Sequence, residues 1–354
     1  MAEMDTLVEI KDLHTYFHLA EGVARAVDGV DLTIQRSRTL GVVGESGCGK
    51  SITSLSLLQL VPPPGKIESG EILFYKPVQN NDMNATVDVV NITSLDPKGK
   101  EIRDIRGNHI SMVFQEPMTA MIPVRTIGQQ ITESIILHQG VSRQAAREQA
   151  IDMLARVKMS RPQQVIDDYP FQLSGGMRQR AVIAMALSCR PSLLIADEPT
   201  TALDVTTEAQ ILDLMRTLQN EFGMAIMYIT HNLGVIAEMA DEVAVMYMGK
   251  VVEQTDVKTI FFNPLHPYTR GLLASIPQLD ETIAHPDRSR RLQTIKGMVP
   301  DPYARLTGCP FAPRCPFVMP DLCDKVEPKN VMAEPGHFVR CHLYTESTSG
   351  AAKA

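Results

Sequence analysis

Hydrophobic positions along this chain follow two rhythms. Short unbroken apolar runs at Thr39–Val43, Ser192–Ala196 and Met224–Ile229 read as buried strands. Each is followed by a loop and then by apolar residues at helical spacing, the alternation of an α/β sheet. Arg143–Met159 carries Ala145, Ala146, Ala150, Met153, Leu154 and Val157 at helical intervals and predicts a helix. Gln79–Asn84 is mostly polar and rich in turn formers, which predicts the tip of a hairpin insertion. This texture runs from about Leu7 to Phe262. From residue 263 proline becomes frequent, and helical periodicity fades after Leu279, so a loop-rich second region is expected. The small, polar end Thr345–Ala354 predicts a frayed tail.

Composition sharpens this picture. A chain of 354 residues, 44% hydrophobic, can build about two domains around a large core. The net charge of −7 gives no support to a general nucleic-acid binder. No apolar run approaches the roughly 18 residues of a membrane span. The acidic start Met1–Asp5 lacks the basic-then-apolar pattern of a secretion signal. The expectation is a cytosolic chain, where structural disulfides are disfavoured.

The most specific chemistry is Gly44-Glu45-Ser46-Gly47-Cys48-Gly49-Lys50-Ser51, followed by Ile52, which matches G-x-x-x-x-G-K-[ST] directly after a predicted strand. Glycines let such a loop turn its N–H groups inward around phosphates, and the helix beginning near Lys50 adds its positive end. Lys50 is expected on the β/γ-phosphates and Ser51 on Mg²⁺. Cys48 reads as a small filler. The apolar strand ending in Asp197-Glu198 supplies a carboxylate for the Mg²⁺ shell and one to polarise the attacking water.

Leu173-Ser174-Gly175-Gly176-Met177-Arg178-Gln179 resembles the signature motif of ATP-binding-cassette (ABC) ATPases. The family's other motifs follow the same order. Gln115 resembles the Q-loop glutamine, also an Mg²⁺ ligand, and Asp204 in Thr201-Ala202-Leu203-Asp204 resembles the D-loop. His231 resembles the switch histidine, and Phe17, or its neighbour Tyr16, the adenine-stacking aromatic. Met177 departs from the frequent Gln, Asn232 from the usual Asp, and Ile122 from a common Asn. The resemblance implies a P-loop ABC ATPase fold over 1–262, with a helical signature subdomain at about 118–190. It implies catalysis by Glu198 with Gln115 and His231. It also implies a second cassette as partner, because the Ser174–Met177 signature of one chain completes the ATP site of the other.

Asn263-Pro-Leu-His266-Pro267-Tyr268 and "GCPFAPRCPF" at 308–317 resemble the C-terminal extension of dipeptide/oligopeptide importer ATPases, covering 263–344. This resemblance implies two membrane permease subunits, a non-identical partner cassette, and an extracytoplasmic binding protein acting through the permease. The chain would sit on the cytoplasmic face of the membrane. A soluble ABC ATPase with a mechanical or DNA-associated role is the alternative. Cys309, Cys315, Cys323 and Cys341 are spaced C-x5-C-x7-C-x17-C. In a reducing compartment, clustered thiols in a core-poor segment suggest a metal staple. Zinc sites favour tight C-x2-C knuckles, missing here, whereas wider spacing suits iron–sulfur ligation. The family resemblance implies a [4Fe–4S] cluster; zinc and unliganded thiols stay open. The extension is thus expected to be metal-binding, far from the ATP chemistry, with a structural or docking role or, alternatively, a redox-sensing one.

Overall fold

The computed structural model describes residues 5–77, 87–115, 120–201, 203–275, 295–304 and 306–345. The expected hairpin tip at Gln79–Asn84, and the expected tail beyond Thr345, lie outside the described residues.

An eight-stranded sheet forms the centre. Its strands run in the order β11-β12-β10-β9-β3-β8-β7-β6. The parallel part comprises β3 (Thr39–Val43), β6 (Ile110–Val113), β7 (Leu193–Asp197), β8 (Ala225–Ile229) and β9 (Glu242–Tyr247). The three apolar runs of the sequence are β3, β7 and β8, displaced by at most one residue. Their continuity has a physical cause. Leu194 and Ala196, with Ile226 and Tyr228, face one core, while Leu193 and Ile195, with Ala225, Met227 and Ile229, face a second. Both faces of the sheet are covered, so the inner positions of these three strands carry no charged side chain, and Asp197 stands at the strand end. Burying one such Ile or Leu side chain contributes about 1.5–3 kcal/mol.

The second core lies under an antiparallel sheet of order β2-β1-β4-β5, formed by β1 (Thr6–Leu19), β2 (Gly22–Gln35), β4 (Gly65–Pro77) and β5 (Val87–Asn91). Between the two sheets runs α1 (Lys50–Leu57). On the other face, α3 (Ile127–Gln139), α4 (Arg143–Arg156) and α6 (Gly175–Leu187) pack into the first core, following the short α2 (Lys100–Ile105) and around the short α5 (Pro162–Val165). Thr126 and Gln129 form a capping box at the start of α3, and Gly140 ends it in the left-handed conformation. The helix expected over Arg143–Met159 stops at Arg156, because Lys158 takes φ 56° and turns the chain towards Pro162. Helix α7 (Val205–Phe222) is capped by Asp204, and the short α8 (Leu233–Met239) by Asn232.

The C-terminal region joins the central sheet. After β10 (Lys250–Asp256) come α9 (Val257–Phe262) and α10 (Pro267–Ala274) and, further along the chain, the hairpin β11 (Val331–Glu334) and β12 (His337–Val339). β12 pairs antiparallel with β10 through Glu253↔Val339 and Gln254↔Phe338. Glu253 pins this junction. Fully buried, its carboxylate accepts from the N–H groups of Leu265 at 2.6 Å and His266 at 2.9 Å, and lies 2.8 Å from Nε2 of His337. Among the described residues no helix is long and apolar enough to cross a membrane.

Candidate active site

The phosphate loop is a turn between β3 and α1 that depends on glycine. Gly49 caps α1 at φ 106°, and a Cβ there would sit 2.1 Å from the carbonyl oxygen of Ala26. Only glycine lets β2 press this closely on the loop. Cys48 is buried, with Sγ 3.8 Å from Nζ of Lys50, and burial pushes its thiol up, in keeping with a filler. Lys50 is also buried, and its ammonium donates to the carbonyls of Gly44 at 2.8 Å and Glu45 at 3.1 Å. Ser51 lies close enough to Asp197 to favour its ionised form. Burial and the neighbouring Glu198 carboxylate hold Asp197 above the usual carboxylate range, against Ser51 and Lys50. A divalent cation between Ser51 and Asp197 would relieve both.

Glu198 lies one residue beyond β7, at φ 46°, with its N–H donated to the carbonyl of Ile229 at 2.9 Å. This turn brings its carboxylate to three partners. Nε2 of Gln115 donates to Oε2 at 2.9 Å, Thr201 Oγ1 donates to the same oxygen at 3.1 Å, and Nδ1 of His231 is 3.0 Å from Oε1. Burial raises this carboxyl, but His231, Thr201 and Lys50 outweigh it and hold Glu198 below its ordinary value, so it is an anion at neutral pH. Gln115, Glu198 and His231, separated by as many as 116 residues in sequence (231 − 115), therefore meet at one carboxylate. Thr201, visible in the sequence only as the first residue of the D-loop run, is thus a further partner of this carboxylate.

The signature forms an N-terminus. Ser174 caps α6, its hydroxyl accepting from Met177 N–H at 3.4 Å. Gly175 has no neighbour within 4 Å of a Cβ, so the helix end is open to an approaching anion. Met177 packs against the core, which explains why an apolar residue suffices there. Asp204 accepts from both N–H and hydroxyl of Thr207, at 3.0 and 2.8 Å, and Gly176 abuts the Thr207 methyl. Asn232 accepts from Gly234 N–H at 3.0 Å, so it performs the capping an Asp would. The two aromatic candidates separate: the hydroxyl of Tyr16 donates to Asp28 at 2.6 Å beneath the Arg25 guanidinium, whereas the ring of Phe17 lies beside Gly65 and Val61.

The extension reaches this site, contrary to the expectation from sequence distance. Arg314, one residue before Cys315, grips the Glu45 carboxylate with both guanidinium nitrogens, at 2.7 and 3.1 Å. The hydroxyl of Tyr268 accepts from Glu45 N–H at 2.9 Å. Arg314 was legible only as a basic residue between two cysteines, and Tyr268 only as part of a His-Pro-Tyr run. The four cysteines, with His266, Phe311 and His342, line one small apolar cavity. Burial pushes Cys309 up to about 11 and Cys341 up to about 12. Cys323 is tied to Cys309 through a 2.7 Å bond between Cys309 N–H and its carbonyl. Cys189, the one cysteine outside the phosphate loop and the extension, is half-buried, its Sγ 3.7 Å from the Ser134 carbonyl.

A phosphate loop, an acidic strand end and an open signature helix on one α/β core define an ATP-binding cassette. Residues 27–201 match the family model described as ABC transporter, and residues 252–323 the one described as oligopeptide/dipeptide transporter, C-terminal region. The chain is 48% identical to the oligopeptide transport ATP-binding protein AppD of Bacillus subtilis (strain 168), over 97% of this chain and 98% of that one. It is 44% identical to the dipeptide transport ATP-binding protein DppD of the same organism, over 98% of each. The ATP-binding cassette MJ0796, solved as a dimer bound to ADP and Pi, superposes with a TM-score of 0.59 at 26% identity, covering 71% of this chain and 98% of that one. The chain belongs to the ABC transporter ATP-binding proteins of the oligopeptide/dipeptide type and is an ATPase.

Proposed function

We propose that this chain powers the import of peptides or related small solutes, as one of two non-identical cassettes on the cytoplasmic face of a membrane. Two permease subunits would carry the solute, delivered by an extracytoplasmic binding protein. The observation that carries this reading is the pairing of a complete hydrolytic carboxylate at Glu198 with an open signature helix at Ser174, in a chain whose near full-length relatives are named as oligopeptide and dipeptide transport proteins. Lys50 and the loop N–H groups of 44–52 hold the phosphates, with Phe17 under the adenine. Ser51, Asp197 and Gln115 would hold Mg²⁺, which when bound would neutralise phosphate charge. Glu198 takes a proton from the water whose oxygen attacks the γ-phosphorus, the bond to the β-phosphate oxygen breaks, and Gln115 and His231 hold the carboxylate in place. The helical subdomain exposes Ile122, Val124, Leu137 and Phe171, with Tyr169 stacked on Phe171, which supports permease docking there.

Cys309, Cys315, Cys323 and Cys341 would hold a [4Fe–4S] cluster. Their convergence on one cavity supports this reading. Among the described residues no three His, Cys, Asp or Glu side chains are grouped as they would be around a single metal ion, and zinc stays the alternative. Such a group, when bound, would supply thiolate–metal crosslinks that fold the loop-rich extension.

Co-expression with the neighbouring permease genes tests the assignment. The expected result is a membrane complex containing this chain, with solute uptake lost in Lys50→Ala. A chain that never co-purifies with membrane subunits and turns over fully as a monomer would return the soluble ATPase alternative.

A further inference from the structure

Among the described Lys and Arg residues of the extension Arg314 is the most buried, with 5% of its side chain exposed, and its partner is a phosphate-loop residue. Its guanidinium lies over the rings of Tyr247 and Phe311, at 5.8 and 5.9 Å. Nε donates to the Lys296 carbonyl at 3.3 Å, so the cation is fixed from the extension side. Glu45 is fixed on every polar group it owns. Arg314 holds its carboxylate, Tyr268 its N–H, and Lys50 its carbonyl. A planar fork meeting a carboxylate at two points sets orientation as well as distance.

We propose that Arg314 is a positioning residue for ATP: by gripping Glu45 from within the Cys309–Cys315 segment, it sets the shape of the phosphate loop, so nucleotide affinity depends on the extension being folded. This rests on the reading of Gly44–Ser51 as the ATP site, and it gives the extension a role in that site which packing alone would not.

The test measures Mg-ATP dissociation constants of the full-length chain by calorimetry, together with thermal midpoints. Arg314→Gln is expected to weaken binding about tenfold, and Arg314→Lys, which can restore one contact, to recover part of the loss. Glu45→Gln should weaken binding in the same direction, and the double variant should be no worse than the weaker single. Cys315→Ser, which loosens the segment bearing Arg314, should weaken binding too, with no further loss on adding Arg314→Gln. If Arg314 acted only by its charge on the phosphates, Glu45→Gln would free it and tighten binding; that result overturns the proposal. An Arg314→Gln chain that melts earlier but binds within twofold of wild type also overturns it. Should Arg314→Gln not fold, Glu45→Gln alone decides by the same criterion. Wild-type binding lost in Lys50→Ala establishes the nucleotide site independently. Wild-type protein that binds no ATP would sink both readings, whereas binding indifferent to Arg314 and Glu45 sinks only this one.

Discussion

Nδ1 of His231 lies 3.0 Å from Oε1 of Glu198, while Gln115 occupies the other oxygen of the same carboxylate. This carboxylate, the proposed general base, is therefore held from both sides, by Gln115 and by His231, which keeps it aimed.

Replacing that base keeps the shape and removes the proton acceptor. Glu198→Gln is expected to bind ATP normally and to lose about a thousandfold or more in turnover, some 4 kcal/mol of barrier. The cassette pair should stay closed on ATP. Phosphate release from the assembled transporter checks this, and near-normal rates would contradict the assignment.

Gln115 and His231 act through Glu198, so their effects should not add. His231→Ala is expected to slow hydrolysis about a hundredfold in the wild-type background and by little in Glu198→Gln. Single-turnover rates of the two singles and the double give the coupling. Equal losses in both backgrounds would mean that His231 works independently.

On the proposed reading, the open N-terminus at Gly175 serves the partner's nucleotide. Gly175→Glu puts a carboxylate where a phosphate must come. The variant should bind ATP at its own loop with unchanged affinity, yet fail to stimulate turnover when mixed with the partner cassette. Loss of its own ATP binding would show that the signature acts within one chain.

Glu253 ties the extension to β10. Burial would raise its pKa, but His337, the Leu265 and His266 N–H groups and Thr269 outweigh this and lower it. A depressed carboxyl contributes stability that is present above its unfolded value, about 4.3, and lost as pH falls through its folded value. Amide exchange at 263–275 and 331–342 should therefore accelerate at acid pH while the parallel strands stay protected. Glu253→Gln should release the same segments at neutral pH, at a cost of about 3 kcal/mol, because it leaves buried donors underpaired. Uniform exchange across the whole chain would instead make the extension inseparable from the cassette.

Anaerobically purified protein should be brown and contain iron and acid-labile sulfide, both lost in Cys315→Ser. Residues beyond about 290 should then loosen. Colourless protein with stoichiometric zinc would move the site to the zinc alternative.

The sequence is most informative where one residue type has one job. Gly49, Lys50, Ser51 and the Asp197-Glu198 pair sit on a continuous strand–loop–helix pattern, so both place and chemistry are legible. The runs at β3, β7 and β8 are readable because both sheet faces are covered. Strands β11 and β12 are not: at four and three residues, with every second position of β11 exposed, they carry too few apolar side chains to signal a strand. Nor does sequence distance reveal the Arg314–Glu45 pair, since 269 residues and a change of texture separate its halves. Long-range ion pairs have no periodic signature, and the fold alone brings them together.

The hairpin on β10 carries one more consequence. Without residues 331–339, β10 would become the outermost strand of the sheet, presenting Val251 and Val252 and a row of unpaired backbone groups to any strand that came near. A cassette cut at Phe262 is therefore expected to self-associate, even though its ATP motifs are intact. Swapping extensions between relatives should preserve solubility only when the transplanted piece ends after the strand that seals this edge. The extension, in this sense, is the sheet's own cover against polymerisation.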